Sequence, residues 1–392
     1  MKVPATIRPA MPESSDMTRH VVGVMTGTSI DGMDAALVRI EGRGLDIRAS
    51  LIRHLSAPLG DLQPRLRAAA DQKPMTAGEF AQLVWDFGVL HANVIERLLQ
   101  AEKRKPDLIC IHGQTVFHQP PISWQLVNPA PIAARFDCPV VSDLRQADLA
   151  HGGQGAPITP IADWILFRDS TRTRAIVNLG GFCNVTIVPR QRAGPFSAPS
   201  TNDLRDIRGF DVCACNQLLD AVAREVLKQP FDKDGTAAAR GHASTQAVES
   251  LRAMLDKQRR GRRSLGTGDE AQHWIMAHRA NLAPDDLAAS AVHAIAQTIL
   301  DAVREYQADE LILAGGGARN LALRDALCKH ASNRVPMNIS DDLAVPIDAR
   351  EAMCFAILGA LCQDGVPITL PAVTGCTRPA PISGSCCGRR AS

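Results

Sequence analysis

The stretch VVGVMTGTSIDGMDAALVRI (21–40) reads as two short strands joined by a glycine-bearing loop. VVGVMTG (21–27) is a buried apolar run ending in glycine. DAALVRI (34–40) follows a tight turn, so residues 27–34 form a hairpin-like loop. Gly27 and Gly32 permit backbone shapes that turn amide N–H groups toward an anion. Thr28 and Ser29 add hydroxyls, Asp31 and Asp34 add carboxylates suited to a metal-bound phosphate, and Ile30 and Met33 complete the loop. A strand-turn-strand phosphate clamp fits this content, and so does a plain Gly/Asp turn. It is not a P-loop, because no G-x-x-x-x-G-K-S/T leads into a helix.

Outward from that hairpin, LDIRASLIRHL (45–55) supplies a third strand, and Thr76-Ala-Gly-Glu79 is a capping box opening a helix to about Lys103. DLICI (107–111) and PVVSDL (139–144) are further buried strands. The second half repeats the order loosely. AIVNL (175–179), a turn at Gly180 and Gly181, and NVTIV (184–188) precede helices near 216–228, 244–260 and 284–307. ELILAGGGARN (310–320) is a strand, a glycine turn and a helix start; Asn338 lies near the end of another strand, and 349–363 is helical. Strand pairs alternating with helices mean an α/β protein. The expected division is a leader over 1–20, a first domain over 21–157 and a second over 158–392, with an exposed insertion near 189–208.

The length of 392 residues leaves room for two domains and a cleft. With 43 basic against 41 acidic residues, no overall basic field recommends nucleic acid. Aromatic residues make up 4%, and Tyr306 is the single tyrosine, so base-stacking platforms are poorly supplied. The eleven cysteines are odd in number, dispersed and never spaced C-x-x-C, which reads as reduced thiols without a structural metal. No membrane partner is expected. Residues 1–20 lack the apolar run of a signal peptide, and the longest uncharged helical run, Leu287 to Leu300, falls short of a span, which points to the cytoplasm. KQRRGRRS, inside the basic run 257–270, reads as a solvated segment or as a polyanion contact.

Several groups carry candidate chemistry. Gly180 and Gly181 open the second half much as the first loop opens the first, suggesting paired phosphate loops across a cleft. Gly315, Gly316 and Gly317 let a ligand lie against the backbone at a helix N-terminus. HGQTVFH (112–118), Asn128-Pro129-Ala130 and SDLRQADLAHGGQGAP (142–157) gather amide, imidazole, guanidinium and carboxylate groups suited to a carbohydrate, though each also reads as an ordinary loop residue. Asp211 follows Phe210 and precedes a helix. It is either a general base or a helix N-terminal charge.

These stretches together resemble the 1,6-anhydro-N-acetylmuramic acid kinases, within the superfamily of sugar kinases, actin and heat-shock ATPases. The agreement runs in order through GVMTGTSIDGMD, HGQT, NPAPIAA, SDLRQAD, GGQGAP, NLGGFCNVT, GFD with Asn216, FDKDG (231–235), LAGGGARN, Glu351-Ala-Met and VTG (373–375). It spans nearly the whole chain from about residue 21.

The resemblance implies a two-domain actin-like fold with a central interdomain cleft. It implies an enzyme that uses ATP and Mg2+ to convert 1,6-anhydro-N-acetylmuramic acid and water into N-acetylmuramic acid 6-phosphate during peptidoglycan recycling. By matching position, GTSIDGMD (27–34) is the ATP-phosphate loop, LAGGGARN with Asn320 is a nucleotide-side turn, and Asp211 is the catalytic aspartate. His112, Gln114, Asn128, Asp143, Arg145 and Glu351 are candidates for the sugar side, no protein ligand of the metal is assigned, and a homodimer is left open. Three stretches depart from the family pattern. Asp211-Val-Cys-Ala-Cys-Asn216 stands for D-C-G-P-G-N, RRSLGTGDE (262–270) for a segment containing K-S-T-G-R-E, and DLRQAD (143–148) for D-F-R-R-R-D. They keep two other readings in view, a kinase for another anhydrosugar and a catalytically weakened nucleotide-binding protein.

Overall fold

The computed structural model describes residues 18–191, 200–260, 269–332, 335–379 and 384–388. Most of the leader, the centre of the 189–208 insertion and most of the 257–270 basic run lie outside the described residues.

In chain order the first half carries β1 (Thr18–Met25), β2 (Met33–Glu41), β3 (Arg48–Ala57), α1 (Leu62–Ala70), α2 (Ala77–Gln100), β4 (Leu108–Ile111), β5 (Gln114–Gln119), β6 (Ile122–Leu126), α3 (Ala130–Phe136), β7 (Val140–Ser142) and α4 (Gln146–Ala150). Then follow α5 (Pro160–Phe167), β8 (Arg174–Leu179), β9 (Phe182–Val188), β10 (Arg208–Ala214), α6 (Asn216–Val222), α7 (Thr236–Arg240), α8 (Thr245–Arg260), α9 (Asp269–His278) and α10 (Pro284–Val303). The chain ends through β11 (Glu310–Ala314), α11 (Leu321–His330), β12 (Met337–Ile339), α12 (Arg350–Gln363), α13 (Pro371–Thr374) and β13 (Ser385–Cys387).

The loose repetition in the sequence is a repeat of topology. One sheet has the order β13-β7-β4-β1-β2-β3 and the other β10-β9-β8-β11-β12. In each, an antiparallel meander (β1, β2, β3; β8, β9, β10) continues from its first strand into parallel neighbours (β4 and β7; β11 and β12). The β5–β6 hairpin stands apart as a two-stranded sheet. The capping box forms as the sequence predicts: Thr76 Oγ1 accepts from Glu79 N–H at 3.2 Å, and Glu79 Oε2 accepts from Thr76 N–H at 2.6 Å.

Apolar side chains fill three layers. One lies outside the first sheet beneath α1 and α2, one outside the second sheet beneath α8, α10 and α11, and one between the sheets around α5 and α12. This central layer crosses the expected boundary at 157/158. Helix α12 packs on β1, β2 and β4, and β13 pairs with β7, so parts of the 158–392 segment belong with the first sheet. The inner face of that sheet (Val21, Ala36, Val38) needs cover that no nearby helix supplies, and α12 is buried almost all round. Close approach makes Gly23 necessary: a Cβ there would sit 1.9 Å from the Ala352 carbonyl oxygen.

Smaller differences concern element ends. β1 begins at Thr18, inside the expected leader, and β3 begins at Arg48 after a short 3-10 turn. α6 gives way at Ala223 to a wide π turn, and α10 to a 3-10 turn at Arg304.

The halves are pinned where α5 meets α12. Arg350 Nη2 donates to Asp163 Oδ1, with the side chains 1% and 0% exposed, and Asp163 Oδ2 accepts from Thr186 Oγ1 at 2.8 Å. Removing one partner of a fully buried pair strands the other charge. Asp163→Ala is therefore expected to lower unfolding free energy by about 3–5 kcal/mol in urea titration, with Asp163→Leu/Arg350→Met recovering most of it. A loss below about 1 kcal/mol for Asp163→Ala would show that the pair does not hold the halves together.

Candidate active site

In α/β sheets, ligands bind beyond the carboxyl ends of the parallel strands, and most nominated residues sit there. Gly27 follows β1, His112 follows β4, Asp143 and Arg145 follow β7, Gly180 and Gly181 follow β8, and Gly315 to Gly317 follow β11.

A polar group bridges the two halves. Arg145 Nε and Nη2 donate to His112 Nε2 at 3.1 and 2.9 Å, while His112 Nδ1 lies 2.9 Å from the Gly113 carbonyl oxygen. Arginine only donates, so His112 Nε2 accepts and its proton rests on Nδ1. Burial, and then the Arg145 charge, hold the His112 pKa well below the ordinary value, so the imidazole is neutral. His118 is lowered to about 4 by burial and the same charge. Arg145 is itself lowered to about 10 by burial, against the pull of Asp211 and Glu351. It thus stands between carboxylates from the second sheet and from α12.

Asp211 corrects one of the two sequence readings. It lies within β10, four residues before Cys215 caps α6, so it is not a helix N-terminal charge. A bulge places Val212 between the paired residues Asp211↔Asn184 and Cys213↔Cys183. Val212 and Cys213 both enter the core, while Asp211 stays accessible. Desolvation there raises its pKa, and Arg145 partly offsets the rise. After Asp211 the chain keeps a negative φ at Cys215 (−125°), and both Cys213 and Cys215 are packed in the core.

Glu351, in the first turn of α12, accepts from Asn178 Nδ2 at 3.2 Å. Burial raises its pKa; Arg350 and the Asn178 bond lower it, and Asp34 adds to the rise. In the sequence Asn178 stands only as the start of the Asn178–Asn184 turn, with no role of its own. The available signal was one amide at the end of the otherwise apolar run AIVNL. Its Oδ1 is buried with no hydrogen-bond partner among the described residues. Gln114 is buried too, donating to the Gly27 carbonyl at 3.2 Å and thereby joining the β5 start to the first loop. Asp143 has φ +58°, and desolvation raises its pKa.

The glycine turns separate into packed and open positions. A Cβ on Gly315 would lie 2.7 Å from Asn178 Oδ1, and one on Gly317 2.6 Å from Asn216 Oδ1. On Gly181 it would meet nothing within 4 Å, and on Gly316 only Asn216 Nδ2 at 4.0 Å. The first loop is braced by Gln63, which donates to the Ile30 carbonyl at 2.9 Å, and by Arg67, which donates to the Ser29 carbonyl. Thr28, Ser29 and Asp31 are exposed.

Five nominated residues have other employment. Ile30 and Met33 turn their side chains into the core, so only their backbone can face a ligand. Asn320 Oδ1 caps α11 by accepting from Leu323 N–H at 3.0 Å, and Asn128 Oδ1 accepts from Ala130 N–H at 2.9 Å at the start of α3. Asp34 accepts from Ser56 Oγ at 2.5 Å and lies 3.1 Å from His54 Nε2, on neighbouring β3.

Two sheets of matching strand order, with buried helices packed between them, define an α/β protein built from two related halves. The chain is 34% identical to the anhydro-N-acetylmuramic acid kinase of Salinibacter ruber, over 93% of this chain and 95% of that one. It is 36% identical to that of Gloeobacter violaceus, over 92% and 97%. Among solved structures, the activator of the 2-hydroxyisocaproyl-CoA dehydratase from Clostridium difficile with bound ADPNP is 13% identical, with a TM-score of 0.46, covering 87% of this chain and 94% of that one. The profile of the anhydro-N-acetylmuramic acid kinases matches residues 19–386, and the chain belongs to that family.

Arg145→Gln removes a positive charge from both Asp211 and His112, so both pKa values are expected to rise in an NMR titration. Unchanged titration of both groups would separate Arg145 from this cluster.

Proposed function

We propose that the protein couples hydrolytic opening of 1,6-anhydro-N-acetylmuramic acid to phosphorylation by ATP, giving N-acetylmuramic acid 6-phosphate for peptidoglycan recycling. The observation that carries this reading is Asp211, an accessible carboxylate beside Arg145 across from Glu351, on a fold whose relatives bear that enzyme's name.

The substrate has no free 6-hydroxyl. Asp211 is the general base: it takes a proton from water as the water oxygen attacks the anomeric carbon and the bond from that carbon to O6 breaks. Arg145 keeps the Asp211 carboxylate ionised and, with neutral His112, offers donors to sugar oxygens. Glu351, positioned by Asn178, is a second acceptor on the sugar side, and Gln114 and Asp143 border it.

Magnesium-ATP, when bound, supplies the phosphoryl group that O6 receives, and ADP leaves. The chain fits a nucleotide at Gly181 and Gly316, where open space beside the backbone leaves room for it. Among the described residues no group of three or more His, Cys, Asp or Glu side chains is built to hold a metal, so the ion would rest chiefly on phosphate oxygens and water. Asp31 and Asp220 lie close enough across the cleft for Asp31 to help burial raise the Asp220 pKa, and they supply the local negative charge such an ion favours.

The same reading extends to a cytoplasmic enzyme and leaves a homodimer for sedimentation to test. No described helix is long and apolar enough to cross a membrane.

ADP release in the presence of anhydromuramate is expected to fall by about 10²–10⁴-fold in Asp211→Asn, the usual range for loss of a general base. Turnover only with another anhydrosugar would reassign the substrate, and ATP binding without turnover would remove the enzyme reading. The acid limb of the wild-type pH profile should lie above the ordinary aspartate range, since activity is lost as pH falls through the raised Asp211 pKa. Arg145→Gln should move that limb to still higher pH. Gly316→Val is expected to weaken ATP binding at least about tenfold while leaving the melting temperature near wild type, because its side chain enters open space. Undiminished ATP affinity in that variant would place the nucleotide elsewhere.

A further inference from the structure

Behind the second sheet, remote from the cleft, two adjoining cavities open among α8, α10 and α11. One, of about 320 Å³, is lined by Arg252, Gln297, Asp301, Arg304 and His330 together with Leu300. The other, of about 420 Å³, shares Leu300, Arg304 and His330 and continues over Val303, Ala308, Leu311 and Val335. Each volume lies within the usual range for small-molecule sites. Helix α11 runs from the glycine-turn side at Leu321 to His330 in the cavity wall, and its ten residues put about 15 Å between the two.

The polar cavity is arranged to receive negative charge. Asp301 is its one lining carboxylate and is shared: it takes Arg252 Nη2, and its other oxygen lies 2.9 Å from Arg304 Nη2. Two guanidinium groups against one carboxylate leave an excess positive charge. The Nε–H of Arg252 is buried and finds no acceptor among the described residues, although a guanidinium has five donors to satisfy. On the opposite wall His330 Nε2 lies 2.8 Å from His293 Nδ1 and 3.2 Å from Gln297 Nε2, and amide and imidazole hold the ring in a fixed orientation. The neighbouring cavity adds Val303, Ala308, Leu311, Ala331 and Val335 to its shared Leu300, with Gln307 and Ser332 as its further polar residues.

From a donor-rich chamber opening directly onto an apolar one, we propose a second ligand site for a small organic anion: a single phosphate or carboxylate group held by Arg252 and Arg304, on an apolar body lying against Val303, Leu311 and Val335. The excess charge selects the head group. The aliphatic walls discriminate against a bare inorganic ion.

Calorimetric titration of the full chain, with its cleft saturated by magnesium and a non-hydrolysable ATP analogue, tests the site with four probes: phenyl phosphate, 3-phenylpropionate, inorganic phosphate and benzyl alcohol. Phenyl phosphate or 3-phenylpropionate should bind saturably at one site, at least about tenfold more tightly than the other two probes, and shift the imidazole resonances of His330. Which of the two binds better separates phosphate from carboxylate recognition. Arg304→Gln, at a largely exposed side chain, and Arg252→Gln should each weaken binding about tenfold, and Ala308→Glu should abolish it while thermal melting and ATP binding stay near wild type. Absence of saturable binding, equal affinity for inorganic phosphate and phenyl phosphate, or affinity unchanged by all three substitutions would overturn the proposal.

Discussion

The buried contact between Arg350 and Asp163 is the constraint from which the rest of the structure follows. Burial is the strongest single influence and works against charge on Arg350, but the adjacent Asp163 carboxylate, together with Cys354 and Glu351, outweighs it and the guanidinium pKa is raised. Such a pair gains little net stability over apolar packing, yet it is directional and tolerates few alternatives. It joins the first turn of α12, which lies on the first sheet, to α5, which lies on the second, and Thr186 extends the contact into β9. At the other end of α12, Arg19 of β1 donates to both oxygens of Asp364 at 2.8 Å. A helix fixed at both ends presents its next residue, Glu351, in one place, so the anchor between the halves also sets a carboxylate of the site.

The two halves share a topology but offer different chemistry at corresponding points. After β4 the chain presents His112 and Gln114, buried side chains wired to Arg145 and to the Gly27 carbonyl. After the corresponding strand β11 it presents Gly315 to Gly317, two of them consumed by packing against Leu179 and Asn216 and one left open. Side chains from the first half suit a ligand with directional hydroxyl and carbonyl groups. Bare backbone in the second suits phosphate oxygens. With a net charge of only +2, whatever positive potential the chain presents is local or comes from oriented amides.

What the sequence discloses and what it hides follow the range of the interactions. Hairpins, the α2 capping box and the glycine turns depend on neighbours within a few residues, and they stand where the residues predict them. Arg145 lies 33 residues from His112 and Glu351 173 from Asn178, and nothing local signals those contacts. The destination of α12 is hidden for another reason. A helix buried on nearly every side has no polar stripe to show which sheet it covers. Asn128 and Asn320 misled in the opposite way: an amide at a turn serves a helix start as readily as a ligand.

Asp211 shows how a local departure from a family pattern is absorbed. Strict alternation would put residues 211 and 213 on the same face of β10, either exposing Cys213 or burying the carboxylate. The bulge at Val212 breaks the alternation, so two consecutive side chains enter the core and the aspartate faces out. Cys183 lies directly across the ladder from Cys213, and burial holds the Cys183 thiol well above its ordinary pKa and pushes that of Cys215 to about 12. Thiols held protonated in this way are poor nucleophiles and pack as small apolar groups. This chain carries Asp211 on a bulged strand backed by buried sulfur. The carboxylate is therefore positioned by the core of the second half and not by the conformation of a loop.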